Sequence, residues 1–265
     1  MQIYFQILIS SKKHVMNNPL ISVVTVSYNA VTTIEQTILS VINQSYNNIE
    51  YIIIDGGSTD GTVDIIKKYA DKIAYWISEP DGGIYYAMNK GINIATGEWV
   101  HFRNCGDYFF NSYSLEKMFS SVVDNDVMIL HGDCRVVYSK GFKDRQPPML
   151  YQSYKKGMPI FHPSTFVRRE YHVKYPFNLK YKSSSDYEFI YNAMKRNSKL
   201  EYRSVIISIY NAAEGFSVSN WEMALKEEWD WKYPSFLFKD NLCLLYIFIL
   251  KVKKWIINKI KRNEN

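Results

Sequence analysis

Over roughly the first hundred positions, short apolar runs alternate with stretches in which apolar residues recur at helical intervals. Leu20-Ile21-Ser22-Val23-Val24-Thr25-Val26 is rich in β-branched residues, closes on Ser27-Tyr28-Asn29 and reads as a buried strand. Thr33 and Gln36 have capping-box spacing, and Ile34, Ile38, Val41 and Ile42 follow at helical spacing up to Asn43. Ile52-Ile53-Ile54 is the next strand; Asp55 ends it, and the turn Gly56-Gly57-Ser58-Thr59-Asp60-Gly61 follows. A helix is predicted over 62–69 and a strand over 73–77, broken by Glu79-Pro80-Asp81-Gly82-Gly83. Ile84, Ala87, Met88, Gly91 and Ala95 share one face of a helix that Gly97 is expected to stop, and 99–102 is a fourth strand running into Arg103-Asn104-Cys105-Gly106-Asp107. Strand and helix alternating in this order predict a three-layer α/β/α fold on a mostly parallel, Rossmann-like sheet.

The second half is less regular. A helix is predicted over 114–123, a strand over 127–130, an antiparallel partner over 133–138, a helix starting at Asp186, a strand over 201–210 and a helix over 221–231 with Trp221, Leu225 and Trp229 on one face. Residues 242–250 are continuously apolar, about half of the roughly 20 needed to span a bilayer. Interleaved apolar and basic residues follow: Lys251, Lys253, Lys254, Lys259, Lys261 and Arg262 surround Trp255, Ile256 and Ile257. Such a segment suits a helix lying in the interface of an anionic membrane, and a helix packed on the protein with a solvated basic tail is the competing explanation. No repeat or low-complexity linker separates the halves.

The net charge of +6 is located in that C-terminal run, which leaves the remainder near neutral and argues against a nucleic-acid groove. Cys105, Cys134 and Cys243 are odd in number and widely spaced, so neither a disulfide framework nor a structural zinc site is expected, and a reducing, cytoplasmic compartment is. Residues 1–18 place Lys12 and Lys13 after the apolar stretch 3–9, the reverse of a secretory signal. They are expected to form a disordered extension, with Met16 a candidate start. Residues 19–215 then form the main domain and 216–265 a helical extension.

In a parallel sheet, ligands sit beyond the carboxyl ends of the strands, so Asp55 is expected to face one; the plainer alternative is that Asp55 and Asp60 build a turn and cap the following helix. With these residues in view, the chain resembles the family 2 glycosyltransferases of bacterial surface-polysaccharide biosynthesis, enzymes of the GT-A fold. The resemblance rests on the 21–29 strand, on Ser40-Val41-Ile42-Asn43-Gln44-Ser45-Tyr46 and on Asp55-Gly56-Gly57-Ser58-Thr59-Asp60-Gly61-Thr62, with Gly56 in place of the family's second Asp. It extends through Glu79-Pro80-Asp81-Gly82-Gly83-Ile84-Tyr85 and Ala87-Met88-Asn89-Lys90-Gly91, and is patchier beyond Phe110, where His162-Pro163-Ser164-Thr165-Phe166, Ser185-Asp186-Tyr187-Glu188-Phe189 and Gly215-Phe216-Ser217 carry it.

The resemblance implies an inverting transferase that moves a sugar from a nucleotide-sugar, a UDP-sugar in particular, to a polyprenyl-diphosphate-linked glycan acceptor in O-antigen, capsule or exopolysaccharide assembly. Such an enzyme would sit peripherally on the cytoplasmic face of the bacterial inner membrane, with residues 19–110 as the nucleotide-sugar half and 111–215 as the acceptor half. Asp55 would accept from the base N–H, Thr25, Ser27 and Tyr28 would line its pocket, and Asp81 and Asn89 would lie nearer the ribose or sugar. Asn104-Cys105-Gly106-Asp107 stands where the family carries Asp-x-Asp. Only Asp107 keeps a carboxylate for Mg²⁺ or Mn²⁺, with Asn104 neutral and His162 a candidate extra ligand or diphosphate donor. Asp186 is the candidate general base, with Glu188 in reserve; Ser185 and Asp186 capping a helix is the structural alternative. The depleted metal motif leaves a non-catalytic sugar-nucleotide-binding subunit of an assembly complex as the competing function. A nucleotidyltransferase would carry a basic Gly-rich loop after the first strand, and Ser27-Tyr28-Asn29-Ala30 is not one.

Overall fold

A computed structural model describes residues 18–147, 160–212 and 220–263. The expectations for 1–17 and for the Gly215-Phe216-Ser217 segment fall outside these. The strand β1 (Ile21–Ser27) is buried at every position. It pairs in parallel with β2 (Ile49–Asp55) on one side and β4 (Trp99–Phe102) on the other, and β3 (Tyr75–Ser78) extends the parallel run beyond β2. A central strand covered on both faces needs no polar alternation, which is why 20–26 reads as an almost unbroken apolar run. Helices α1 (Ile34–Ile42) and α2 (Thr62–Lys68) cover one face, packing Ile34, Ile38 and Ile66 against Ile21, Val23 and Ile53. Helix α3 (Ile84–Ile94) covers the other, where Met88 and Ile92 meet Val24, Ile52 and Ile54. Each such apolar side chain contributes about 1.5–3 kcal/mol on full burial.

The sheet continues into the second half through β8 (Thr165–Arg168), antiparallel to β4, then β6 (Val127–Tyr138) and β9 (Lys199–Asn211), and ends on the two-residue β5 (Tyr108–Phe109). The order is β3-β2-β1-β4-β8-β6-β9-β5, with β7 (Gly141–Arg145) forming a hairpin on β6. The parallel run is thus confined to the first four strands and the β6–β9 pair, and the sheet as a whole is mixed. One sheet spans both halves, and β5, just before residue 110, pairs with β9 rather than with its neighbours in sequence. Shorter helices α4 (Ser114–Met118), α5 (Arg169–Lys174) and α6 (Ser185–Lys195) are followed by α7 (Trp221–Lys232) and α8 (Lys239–Asn263).

Several local expectations change. Thr33 makes no side-chain cap; its hydroxyl points to the Ala30 carbonyl, which also receives the Thr33 and Ile34 amides, so a tight turn replaces the capping box. α4 stops at Met118 because the Arg203 guanidinium binds the carbonyls of Met118, Ser121 and Val122. Gly97 does not end α3 with a left-handed cap. It lets the chain come in close beside the start of β1, where a Cβ would lie 2.7 Å from both the Leu20 carbonyl oxygen and the Ser22 nitrogen.

Candidate active site

The parallel strands β1, β2 and β3 end together, and their register aligns Ser27, Asp55 and Ser78 side by side. Asp55 therefore sits between two hydroxyls. Its Oδ1 accepts from Ser27 Oγ (2.7 Å) and Ser58 Oγ (2.6 Å), and its Oδ2 from Ser78 Oγ (2.7 Å) and the amides of Ser58 (2.8 Å) and Gly57 (3.1 Å). Burial alone would raise its pKa, but these donors outweigh burial and hold it below the ordinary value. A carboxylate offers about four lone-pair sites, so Asp55 has none left for a base, and it is fully buried. It is the knot of the turn rather than its open face. Gly57 has φ +83° with Pro80 packed against it, a conformation that favours glycine. Thr25 is likewise corrected: it is sealed in the core, its hydroxyl 3.0 Å from Tyr51 Oη.

At these strand ends Tyr28 is exposed and Asp81 half-buried. Tyr28 is 68% exposed. Gly56 separates the two: a Cβ there would lie 3.3 Å from Asp81 Oδ2 and 3.4 Å from Tyr28 Cδ2. Asp81 Oδ1 accepts from the Gly83 amide at 2.7 Å. The Tyr28 loop is laced to the Asp55 turn through Asn29, which receives the Thr59 amide on Oδ1 and gives its own to Ser58 Oγ. Asp60 binds the Val31 and Thr62 amides from the position before the N-cap, Gly61, so it builds the turn into α2, the turn-forming half of the role expected for it, and α2 has no side-chain cap.

The segment Asn104 to Asp107 leaves β4 as a tight turn closed by the Asp107 amide on the Asn104 carbonyl (3.0 Å). Burial pushes the Asp107 carboxyl up to about 7, against the opposing charge of Arg103. Asn104 Oδ1 is buried without a hydrogen-bond partner among the described residues. Arg103 lies wholly inside, donating to Ser208 Oγ (2.7 Å) and the Tyr108 carbonyl (3.2 Å), with Phe109 4.0 Å below its guanidinium carbon. No group of three or more His, Cys, Asp or Glu suited to a metal occurs among the described residues. An all-protein cage does not fit, whereas one carboxylate and one unpartnered amide oxygen fit a hard cation that completes its shell with phosphate and water.

Asp186 opens α6 and meets α3. Tyr85 Oη donates to Asp186 Oδ1 at 2.9 Å, and the Tyr187 amide reaches the same oxygen. Burial, then the Asp186 charge, raises the Tyr85 pKa far above the usual phenol value, so it stays a donor. The other oxygen, Oδ2, faces His162 Nδ1 at 4.0 Å, beyond hydrogen bonding, and the Asp186 side chain keeps 26% exposure. Burial lowers the His162 pKa against the pull of Asp186, leaving a neutral imidazole stacked on Phe102. His162 thus comes to Asp186, and no described contact joins it to Asp107. Asn89 is corrected as well: its amide binds the Phe177 backbone twice, Nδ2 to the carbonyl and Oδ1 from the amide, both at 2.9 Å, and so braces the second half on α3. Glu188 accepts from Asn178 at 3.3 Å. Ser58, Ser78 and Tyr85 escaped the sequence reading as site residues; strand register was the signal for Ser78, and nothing local marked Tyr85.

The ends of the parallel strands β1, β2 and β3, where α/β folds place their ligands, carry the Asp55 turn and Tyr28, and the chain is an α/β protein of that class. Residues 22–188 match the model of glycosyl transferase family 2, and the chain belongs to that family. It is 38% identical over 121 residues, 44% of its own length and 48% of the relative's, to an uncharacterized glycosyltransferase of Haemophilus influenzae. It is 26% identical over 215 residues, 76% of its own length and 80% of the relative's, to a PGL/p-HBAD biosynthesis glycosyltransferase of Mycobacterium bovis. The chain thus spans about half the length of the first of these. Its fold is similar to that of S. aureus TarS 1–349 in complex with UDP-GlcNAc (TM-score 0.63, 19% identity, 80% of this chain and 66% of that one). It is similar also to that of the mannosyltransferase PcManGT from Pyrobaculum calidifontis in complex with GDP-Man and Mn²⁺ (TM-score 0.63, 18% identity, 80% and 63%). The fold is accordingly of the GT-A type, as the motifs implied.

Proposed function

We propose that the chain is an inverting glycosyltransferase that takes a sugar from a nucleoside-diphosphate donor, a UDP-sugar first among candidates. The observation that carries this is the meeting of Tyr85, from the donor half, with Asp186, from the acceptor half, which leaves the other carboxylate oxygen facing His162 Nδ1 at 4.0 Å on a side chain that is 26% exposed. Tyr28 offers a face for the base to stack on, and Asp81 Oδ2 an acceptor for a ribose hydroxyl or a base N–H. Asp55 keeps the turn between them in shape. The acceptor hydroxyl oxygen attacks the anomeric carbon, its proton passes to Asp186, and the bond from that carbon to the diphosphate oxygen breaks with its electron pair leaving on the nucleoside diphosphate. Tyr85 fixes the Asp186 carboxylate by occupying one oxygen. Asp107 and Asn104 Oδ1 would hold Mg²⁺ or Mn²⁺, which neutralises diphosphate charge. One of the solved relatives binds UDP-GlcNAc and another GDP-Man with Mn²⁺, so both nucleotides belong in the test.

A lipid-linked glycan is the acceptor we propose, because α8 presents an apolar surface beside a basic run, suited to an anionic membrane. No described helix is long and apolar enough to cross a bilayer. Calorimetric titration with UDP, GDP, UDP-GlcNAc, UDP-glucose and GDP-mannose, with and without Mn²⁺, followed by release of nucleoside diphosphate with water as acceptor, tests the assignment. Binding of one nucleotide class, turnover in the wild type and loss of turnover but not of affinity in Asp186→Asn are expected. Binding without any turnover would favour the non-catalytic subunit, and no binding would end the donor-site reading.

A further inference from the structure

The helix that carries Asp186 lacks a cap of its own: Ser184 stands at its N-cap without a side-chain capping bond. The segment leading into it is held instead from α7. Glu227, in the middle of α7, receives the Lys182 amide on Oε1 (2.7 Å) and the Ser183 (2.9 Å) and Ser184 (3.0 Å) amides on Oε2, which also takes the Ser184 hydroxyl (3.1 Å). Three successive backbone N–H groups converging on one carboxylate form an anion nest, here at the positive end of a helix, where a negative charge is favoured twice over. The neighbouring contacts fix the same segment. Trp231 Nε1 donates to Ser184 Oγ at 3.2 Å, the Trp231 ring stands edge-on to Tyr187 at 4.9 Å, and Tyr181 Oη reaches Asp230 at 3.0 Å. No residue of α7 is fully buried, so this polar attachment rather than a core seats the helix.

We propose that Glu227 is a positioning residue for the transfer reaction: by holding residues 182–184 it sets the first turn of α6, and with it the distance of Asp186 from Tyr85 and from the acceptor. The proposal rests on the reading of Asp186 as the base. Only Ser185 separates the nest from Asp186, and Tyr85 fastens only one of its carboxylate oxygens, so a loosened first turn lets the other wander. Misplacement of a catalytic group by about 1 Å costs on the order of 100-fold in rate.

The test uses the full chain and three variants, Glu227→Ala, Glu227→Gln and Asp186→Asn, together with the Glu227→Ala, Asp186→Asn double variant. Hydrogen exchange at amides 182–184 reads the nest without reference to activity, calorimetry reads donor affinity, and release of nucleoside diphosphate from the donor found above, with water as acceptor, reads turnover. Exchange at these three amides should rise at least about tenfold in Glu227→Ala, with donor affinity unchanged and turnover down about 10- to 100-fold. The double variant should be no slower than Asp186→Asn alone, since two groups acting through one carboxylate are not additive. Glu227→Gln keeps the size and one acceptor oxygen and should fall between, which decides the matter if the alanine variant does not fold. Unchanged exchange, or wild-type turnover in both Glu227 variants, overturns the proposal. Turnover persisting in Asp186→Asn defeats the base assignment and the proposal with it, and raised exchange in Glu227→Ala would then show that the nest alone is real.

Discussion

Asp55 accepts five hydrogen bonds in a fully buried position, and its substitution therefore reads on folding before it reads on the ligand. In Asp55→Asn one acceptor oxygen becomes a donor aimed at other donors, which should cost about 3 kcal/mol or more near neutral pH. The pH dependence has a definite sign. The folded pKa lies below the unfolded value of about 3.9, so the stabilisation is complete above that value and is lost as pH falls through the folded pKa. Urea unfolding at pH 6 and pH 3 should show the wild type losing its advantage over Asp55→Asn at the lower pH; a gap that is the same at both would refute the account. That Asp55 ends a strand was legible in Ile52-Ile53-Ile54-Asp55-Gly56. That it is saturated was not, because its donors Ser27 and Ser78 come from two other strands and only the register brings them together. Asn89 eluded the sequence for a similar reason, since its partner Phe177 lies 88 residues away.

At the scale of elements, helix α3 delivers Tyr85 to Asp186 and Asn89 to Phe177, and two glycines set how closely the chain approaches β1. At Gly91 a Cβ would stand 2.5 Å from Val24 Cγ1, and at Gly97 it would meet Ser22 Oγ at 2.6 Å and two backbone atoms at 2.7 Å. Alanine at position 91 gains about 1 kcal/mol of helix propensity but overpacks a core that answers with about 1–3 kcal/mol, so the net is a modest loss. Position 97 offers no such gain, and backbone cannot step aside as a side chain can. Gly97→Ala should therefore be the more destabilising by chemical denaturation, and an equal or reversed order would show that β1 yields there. Gly97 read as a helix stop in the sequence because a glycine after an apolar helical face has that meaning in isolation; the close approach to β1 is a tertiary fact. The first four strands and three helices were legible, since each is a short periodic block bounded by turn residues, as Glu79-Pro80-Asp81-Gly82-Gly83 bounds β3. The second half was legible only in pieces because β6 pairs with β7, β8 and β9 at once, and its 12 residues follow three neighbours rather than one period.

At the scale of the whole molecule, the last helix buries only part of its apolar surface. Along α8, Cys243 and Ile247 are buried one helical turn apart, with Cys243 against the Leu225 carbonyl and Tyr246 beside Trp229, so a narrow seam faces α7. Outside that seam Leu244, Leu245, Phe248 and Ile249 are each more than half exposed, and Leu237 in the approach to the helix is 87% exposed. A contiguous apolar surface of this kind marks an interaction site, and the basic run that begins in the sequence at Lys251 predicts a preference for an anionic lipid surface over a neutral one. The full chain is expected to float with vesicles containing phosphatidylglycerol and to bind phosphatidylcholine vesicles more weakly, with added salt removing most of that difference. Replacing Phe248 and Ile249 together by serine removes about 3 kcal/mol of apolar transfer, roughly a hundredfold in partitioning, without touching the seam. Flotation should then be lost while nucleotide binding persists, since the proposed donor site lies on other elements. Undiminished flotation of the double serine variant would assign attachment to another surface. A wild type that ignores vesicles but sediments as a dimer would assign this face to a second copy of the chain. Because α7 joins α8 to the segment before Asp186, a membrane that seats α8 would also steady the first turn of α6, so turnover in the presence of anionic vesicles should exceed that in solution for the wild type and not for the double serine variant.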